Sequence, residues 1–298
     1  MTDKGTTISS DTIPQETSTE AAAIRYISFG SGSSGNCTYI GDSEMGFLVD
    51  AGIDVDIVFS TLKSYGISAS MVKAIIVTHD HCDHIKYAYK IIRKYKHIRI
   101  LSTIGTFRGM LRRHVVSSRI TEYHAPFYKE TPFHLRDFTI TPFEVSHDGT
   151  DNCGFFIEYK GLKLTIATDL GFVSERVRYY VSQANFLMLE SNYDAEMLRM
   201  GKYPEYLKRR IMGSRGHLSN SEAAHFVSTI YTPELRNIFL CHLSHENNTP
   251  EKALLTMRET LSMFDITVGD FSEATKDCDV QLIALPRHTP TPLYTLSL

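Results

Sequence analysis

Long apolar runs are missing from this chain of 298 residues. No window approaches the ~20 consecutive apolar residues that a membrane-spanning helix requires. Met1 to Ala23 is rich in Thr, Ser, Asp and Glu and lacks the apolar stretch of a signal peptide. Residues 1–23 therefore read as a disordered tail, and the protein as soluble and cytoplasmic with no membrane contact. Cysteine is sparse: Cys37, Cys82, Cys153, Cys241 and Cys278 are odd in number, scattered, and form no C-x-x-C pair. That excludes a zinc ribbon and a disulfide framework, and Cys82 and Cys241 read as small buried residues. Excess positive charge is also absent. A net charge of −3 argues against a generally basic surface for nucleic acid. There is no internal repeat and no clear linker after residue 24. What remains is 42% apolar, enough for a real core in one large domain or two small ones.

What is present is concentrated in one place. Val72 to Val77 is a short apolar run, and Thr78-His79-Asp80-His81-Cys82-Asp83-His84 follows it directly. Four metal-capable side chains, His79, His81, Asp83 and His84, fall within six residues. A regular helix would fan them around its axis at ~100° per residue. A strand would send His84 to the face opposite the others. A tight loop at the end of a buried strand converges all four.

Three more apolar or β-branched runs end on a ligand-type residue. Phe143 to Ser146 leads into His147, Leu164 to Thr168 into Asp169, and Ile238 to Cys241 into His242. In layered α/β folds, sites collect beyond the carboxyl ends of strands. Strands are also expected at 24–29, 37–40, 47–49, 98–101 and 138–145, and a pair within 155–164 turning at Lys160-Gly161. Helices are expected at 53–65, 85–95, 175–182, 221–230 and 250–263. Ser219 or Asn220 suits the N-cap of the fourth, and Thr249 with Pro250 opens the last.

The order H-x-H-x-D-H, then His, Asp and His, resembles the metallo-β-lactamase-fold hydrolase superfamily. Leu48-Val49-Asp50-Ala51-Gly52 matches its first motif. The resemblance is closer to the bacterial YycJ/WalJ-type exonuclease-like group. It is carried by Ser31 to Asn36, Glu190-Ser191-Asn192, Met197 to Pro204, Lys208-Arg209-Arg210, Gly216 to Asn220 and Leu240 to Ser244. It spans residues 24 to about 295. Departures lie at His245 and at Asp148 to Cys153, beside the ligands. The resemblance implies an α/β (α+β) fold: a single αβ/βα four-layer sandwich over 24–298, two mixed sheets with helices outside.

It also implies a dinuclear centre. His79, His81 and His147 would hold one ion and Asp83, His84 and His242 the second, with Asp169 bridging. Seven donors are too many for one tetrahedral zinc. Imidazoles and carboxylates without thiolate favour zinc or manganese, with iron as a further candidate. Two ions about 3.5–4 Å apart would hold a bridging hydroxide as nucleophile, its pKa lowered toward ~7. Asp50 reads as orienting the ligand histidines. In the related tRNA-processing phosphodiesterases a Glu ends the strand after the bridging Asp and works with a His in a later Gly-His segment. Here Glu190 and His217 occupy those places, so His217 would assist the leaving group or the transition state. Asp83 counts as catalytic as well as ligating.

Substrate contacts are read more broadly. The Ser31 to Asn36 loop is either a plain turn or a phosphate cradle, through Ser31, Ser33, Ser34 and Asn36. Asn192 belongs to the group-specific segment. Arg199, Lys202, Lys208, Arg209, Arg210 and Arg215 form a basic stretch, a solvated helix face or a phosphate contact. His245 either joins the site or only lines it. His97, His114, His124, His134, His225 and His288 read as structural or surface residues.

The leading expectation is a dinuclear-metal phosphodiesterase, a DNA exonuclease, with nucleic acid as substrate and no obligate protein partner. The alternatives are a small-molecule phosphodiester hydrolase, a thioester hydrolase of the glyoxalase II kind, and a non-catalytic protein keeping metal for stability. Glutamate is absent from the His81 slot, which sets the oxygen-reducing di-iron relatives aside. Cysteine is absent from the Asp169 slot, unlike in the zinc β-lactamases.

Overall fold

The computed structural model describes residues 22–113, 118–271 and 277–298. Residues 1–21 of the expected tail, and His114, lie outside these. In the first half the chain forms β1 (Ile24–Gly30), β2 (Cys37–Gly41), β3 (Gly46–Val49), α1 (Val55–Ser64), β4 (Val72–Ile76), α2 (Cys82–Ile85) and α3 (Ala88–Lys94). Then come β5 (Arg99–Ser102), α4 (Ile104–Arg113), β6 (His124–Pro126), β7 (Phe133–Leu135) and β8 (Phe138–Glu144). The second half continues through β9 (Cys153–Tyr159), β10 (Leu162–Ala167), α5 (Glu175–Val181), β11 (Phe186–Glu190), α6 (Ala195–Met200) and α7 (Glu205–Ile211). It ends with α8 (Asn220–Ile230), β12 (Asn237–Cys241), α9 (Pro250–Ser262), β13 (Val268–Asp270), β14 (Val280–Ala284) and β15 (Tyr294–Leu296).

These strands make two mixed sheets. One has the order β15-β1-β2-β3-β4-β5-β6, the other β13-β14-β12-β11-β10-β9-β8-β7. Period-two alternation explains the layering. In β3 and β4, Phe47, Val49, Ala74 and Ile76 turn toward the other sheet, while Leu48 and Ile75 turn outward. The inter-sheet layer is aromatic. Tyr26 of β1 stacks on Phe239 of β12 at 4.6 Å, and Phe47 meets Phe138 edge-on at 5.5 Å. Outside the first sheet pack α1, α3 and α4; outside the second pack α5, α8 and α9. The result is the expected four layers. In α1, Val55, Val58, Phe59 and Leu62 recur at i, i+3, i+4 and i+7, the spacing of one buried face.

The caps behave as the sequence suggests. Ser219, rather than Asn220, caps α8 in a full capping box with Glu222, and Thr249 caps α9 with Pro250 in its first turn. The expected 85–95 helix differs: it is two helices, because the chain is diverted at Tyr87, whose N–H donates to the Ala51 carbonyl. Helix α4, the two short helices α6 and α7, and the three C-terminal strands β13, β14 and β15 had no sequence expectation. Among the described residues no helix is long and apolar enough to cross a membrane.

Removing the inter-sheet ring of Phe239 leaves a cavity between two rigid sheets. Phe239→Ala should cost about 3–5 kcal/mol in a urea unfolding titration. A loss below about 1 kcal/mol would mean that this layer does not carry the sandwich.

Candidate metal centre

The ligand-type residues sit where strands end. Strands β10, β11 and β12 are parallel and in register, pairing Ala167 with Leu189 and Leu189 with Leu240. Their carboxyl ends finish level and bring Asp169, Glu190 and His242 side by side. Across the sandwich, Asp50 directly follows β3, Thr78 and His79 follow β4 after Val77, and His81 is the N-cap of α2. Asp50, Asp169 and His242 all have left-handed backbones, with φ of 62°, 56° and 56°. That conformation costs a residue with a Cβ about 1–2 kcal/mol, and such strain gathers at functional sites. Each sharp turn at a strand end aims a side chain back over the sheet edge.

Seven donors converge. His79, His81 and His147 form one group, and Asp83, His84 and His242 another, with the ligand atoms of each group within 4.8 Å of one another. Asp169 lies between them: Oδ1 is 3.5 Å from His147 Nε2, and Oδ2 is 3.4 Å from His84 Nε2. Several rings are held at one nitrogen by a second residue. His84 Nδ1 meets Asp50 Oδ2 at 2.7 Å, His147 Nδ1 meets the Gly216 carbonyl at 3.0 Å, and His242 Nδ1 meets Glu190 Oε1 at 3.0 Å. Asp50 is anchored in turn by the Thr78 N–H and hydroxyl. Such outer contacts fix ring orientation at metal sites. The close approach is tight: a Cβ on Gly52 would lie 1.7 Å from the Asp83 carbonyl oxygen, so only glycine fits there.

The donor set fits divalent cations. Nε2 of His79 and Nε2 of His242 are buried without a hydrogen-bond partner, a placement that costs about 1–3 kcal/mol each unless something takes the lone pair. Burial holds His79 well below the usual histidine range, keeping it neutral as a ligand must be. Burial also opposes charge on His84, but Asp50, Asp83 and Asp169 outweigh it and push that imidazole up to about 9. Burial likewise works against Asp169, yet the surrounding imidazoles, His242 and His84 first, hold its carboxyl well below the carboxylate range. The pocket is thus a concentrated carboxylate field, which favours positive charge on His84 and His242 while burial keeps His79 neutral.

Glu190 and His217 also meet. His217 Nδ1 lies 2.7 Å from Glu190 Oε1, while Glu190 Oε2 accepts from the Leu170 and Leu218 N–H groups. His217 opens onto a cleft of about 190 Å³ bordered by His147, His242, Asn192, Ser33 and the Leu207 and Ile211 side of α7.

The other expected substrate contacts scatter. Ser31 is buried and its hydroxyl accepts from the His242 N–H, so it fixes a strand end instead of facing a ligand. Asn36 is buried among Gly32, Asp83 and His84. Asn192 is nearly buried and donates to the His242 carbonyl, though it borders the cleft. Lys208 is buried and spent on the Arg199 carbonyl at the end of α6 and on Glu205, one turn back in α7. Ser34 is exposed and faces His288. Arg209 is exposed on α7 outside the cleft lining, while Arg210 borders the cleft and is taken by Asp148 at 2.6 and 2.7 Å. His245 is exposed and paired with Glu246, outside the cluster. Of the remaining histidines, His97 bonds the Ala69 carbonyl and His134 the Thr139 hydroxyl, both at the surface. His124 stacks on Phe107, and His225 is exposed.

Sequence reasoning missed Asp148. Its Oδ1 lies 3.2 Å from His81 Nε2, in ion-pair range without hydrogen-bond alignment, and so it links Arg210 to a ligand histidine. Its adjacency to His147 was the available signal. Leu207 and Ile211 of the cleft wall carried none, and Tyr203 stood out only as part of the Met197 to Pro204 stretch.

A family model described as a β-lactamase superfamily domain matches residues 46–242. The exodeoxyribonuclease YycJ of Bacillus anthracis is 35% identical over 243 residues, covering 82% of this chain and 91% of that relative. The exodeoxyribonuclease WalJ of Streptococcus pneumoniae is 32% identical over 246 residues, with 83% and 91% covered. Among solved structures, the metallo-β-lactamase fold protein YhfI of Bacillus subtilis superposes with a TM-score of 0.65 at 15% identity, covering 92% of this chain and 99% of that one.

If Asp50 orients His84 as its contacts indicate, Asp50→Ala should weaken divalent metal binding about 10- to 100-fold. A competitive chelator titration reads this directly. An unchanged affinity would remove Asp50 from the metal centre.

Proposed function

This chain belongs to the β-lactamase superfamily domain family, and from that membership we propose that it is a dinuclear-metal phosphodiesterase acting on nucleic acid, a DNA exonuclease. The observation that carries the reading is the Glu190–His217 pair, 2.7 Å apart at the rim of the ligand cluster. Thioester hydrolases need the metal ligands but not this pair. The exodeoxyribonuclease names of two relatives covering most of the chain support the same choice of substrate.

In this reading His79, His81 and His147 would hold one ion and Asp83, His84 and His242 the other, with Asp169 placed between the two groups. Imidazole and carboxylate donors without thiolate suit zinc or manganese. When bound, divalent ions neutralise phosphate charge and make water acidic enough to supply a nucleophile near neutral pH. The rest falls to side chains. Glu190, locked by two backbone N–H groups, fixes the His217 ring through Nδ1. That leaves Nε2 of His217 to meet a substrate oxygen in the cleft, where it donates a proton to the leaving group and so avoids expelling an alkoxide. Glu190 also touches His242 Nδ1, so one carboxylate sets both the proton donor and a metal ligand. Asn192 keeps the His242 turn in place from the other side. Residues 24–298 act as one unit here, without an obligate protein partner.

The test is exonuclease assay of metal-loaded protein on duplex DNA. His217→Ala should cut turnover about 10²- to 10⁴-fold with both metals still bound. Asp83→Ala should lose activity together with metal. Thioester cleavage that survives His217→Ala, with no nucleotide release under zinc or manganese, would replace this reading with the thioester one.

A further inference from the structure

Arg287 lies beside the cleft, and no ion pair holds its guanidinium among the described residues. It follows β14 and lies against the Gly32 turn, whose φ of 151° suits glycine. A Cβ on Gly32 would sit 3.3 Å from Arg287 Cγ and 3.7 Å from Nη1. That Nη1 is buried without a hydrogen-bond partner. Burial draws its pKa down, with Tyr203 and Glu246 opposing. Glu246 itself is turned to His245 at 2.8 Å. Arg210, the basic residue that borders the cleft, is already held by Asp148. A guanidinium presents five donors in a planar fork suited to phosphate, and one left unmatched in a partly buried place is costly unless an anion comes to it.

The position fits that anion. Gly32 adjoins Ser33, and Ser33 borders the cleft together with Tyr203 and Ser244. The donor cluster beside the cleft holds the carboxylates of Asp83, Asp169 and Glu190, which favour bound cations but repel the flanking phosphates of a nucleic-acid strand. We propose that Arg287, beside the Ser33 turn, binds a phosphate of the substrate strand other than the one being cleaved. This rests on the phosphodiesterase reading for the identity of the strand, not for the presence of an anion-binding guanidinium.

Two measurements on the metal-loaded protein separate the two ideas. The first is fluorescence-anisotropy binding of a phosphorothioate oligonucleotide across a salt series. The second is hydrolysis of bis(4-nitrophenyl) phosphate, which carries one phosphate only. Arg287→Met keeps the stem that packs on Gly32 and removes the charge. It should weaken oligonucleotide binding about tenfold or more and reduce the log-salt slope by about one. Arg287→Lys should recover part of the loss, while hydrolysis of the small diester and the melting temperature stay as in the parent. A loss confined to strands with a phosphorylated end assigns the terminal phosphate; an equal loss on hydroxyl-ended strands assigns an internal one. Unchanged oligonucleotide binding in Arg287→Met, or equal losses on both probes with a lower melting temperature, would overturn the proposal, as would a parent protein that binds no oligonucleotide. A parent that binds the strand but cleaves neither substrate would sink the phosphodiesterase reading alone, and the binding series would still decide Arg287.

Discussion

Parallel hydrogen bonds between β10, β11 and β12 hold three strand ends at one level, and the chemistry of this protein is suspended from that level. Asp169, Glu190 and His242 come from parts of the chain that have nothing in common in sequence. A one-residue slip in either pairing would turn a ligand away from the cleft and an apolar residue toward it. The register is held from both faces. Inward, Phe186, Met188 and Phe239 enter the inter-sheet layer; outward, Leu187, Leu189 and Leu240 meet α5, α8 and α9. The strand ends can carry strained backbones because the strands behind them have no freedom to relax.

The same rigidity explains how so many like groups share one place. Carboxylates and imidazoles crowded at 3–4 Å would spread apart in a pliable loop. Here Asp50, Glu190 and the Gly216 carbonyl each grip the far side of a ring, leaving the other nitrogen turned inward. Polar partners sit on the outside of the cluster, and inside it Nε2 of His79 and Nε2 of His242 have no hydrogen-bond partner. That is the division of labour expected of a cation site with its supporting contacts in place.

Much of this was legible because it is local. The H-x-H-x-D-H run brings four donors together within six residues, and each further ligand closes an apolar strand that announces itself. The family resemblance placed Glu190 with His217, and the two do meet. Side-chain direction was not legible. Ser31 and Lys208 look like anion contacts in sequence, yet Ser31 turns to a backbone N–H and Lys208 lies along its own helix and reaches the end of the one before. Asp148 and Arg287 act across the fold: Asp148 joins Arg210 to His81 through space, and Arg287 is defined by the turn it covers. No spacing rule reaches that far. Likewise, Tyr87 ends one helix and starts another because of the Ala51 carbonyl, a partner more than thirty residues back in the chain.

The pairing of β1 with β15, Ile24 opposite Leu296, gives the molecule a timetable. One edge of β1 has no neighbour until β15, far along the chain, has been made. His242 is likewise made after the other six residues of the candidate donor set. The early half therefore waits as a sheet with an open edge and an incomplete set of donors, a state in which association with another chain competes with folding. Contacts this distant in sequence form slowly. The edge of β1 is covered only when β15 pairs with it, and the donor set is complete only once β12 has delivered His242.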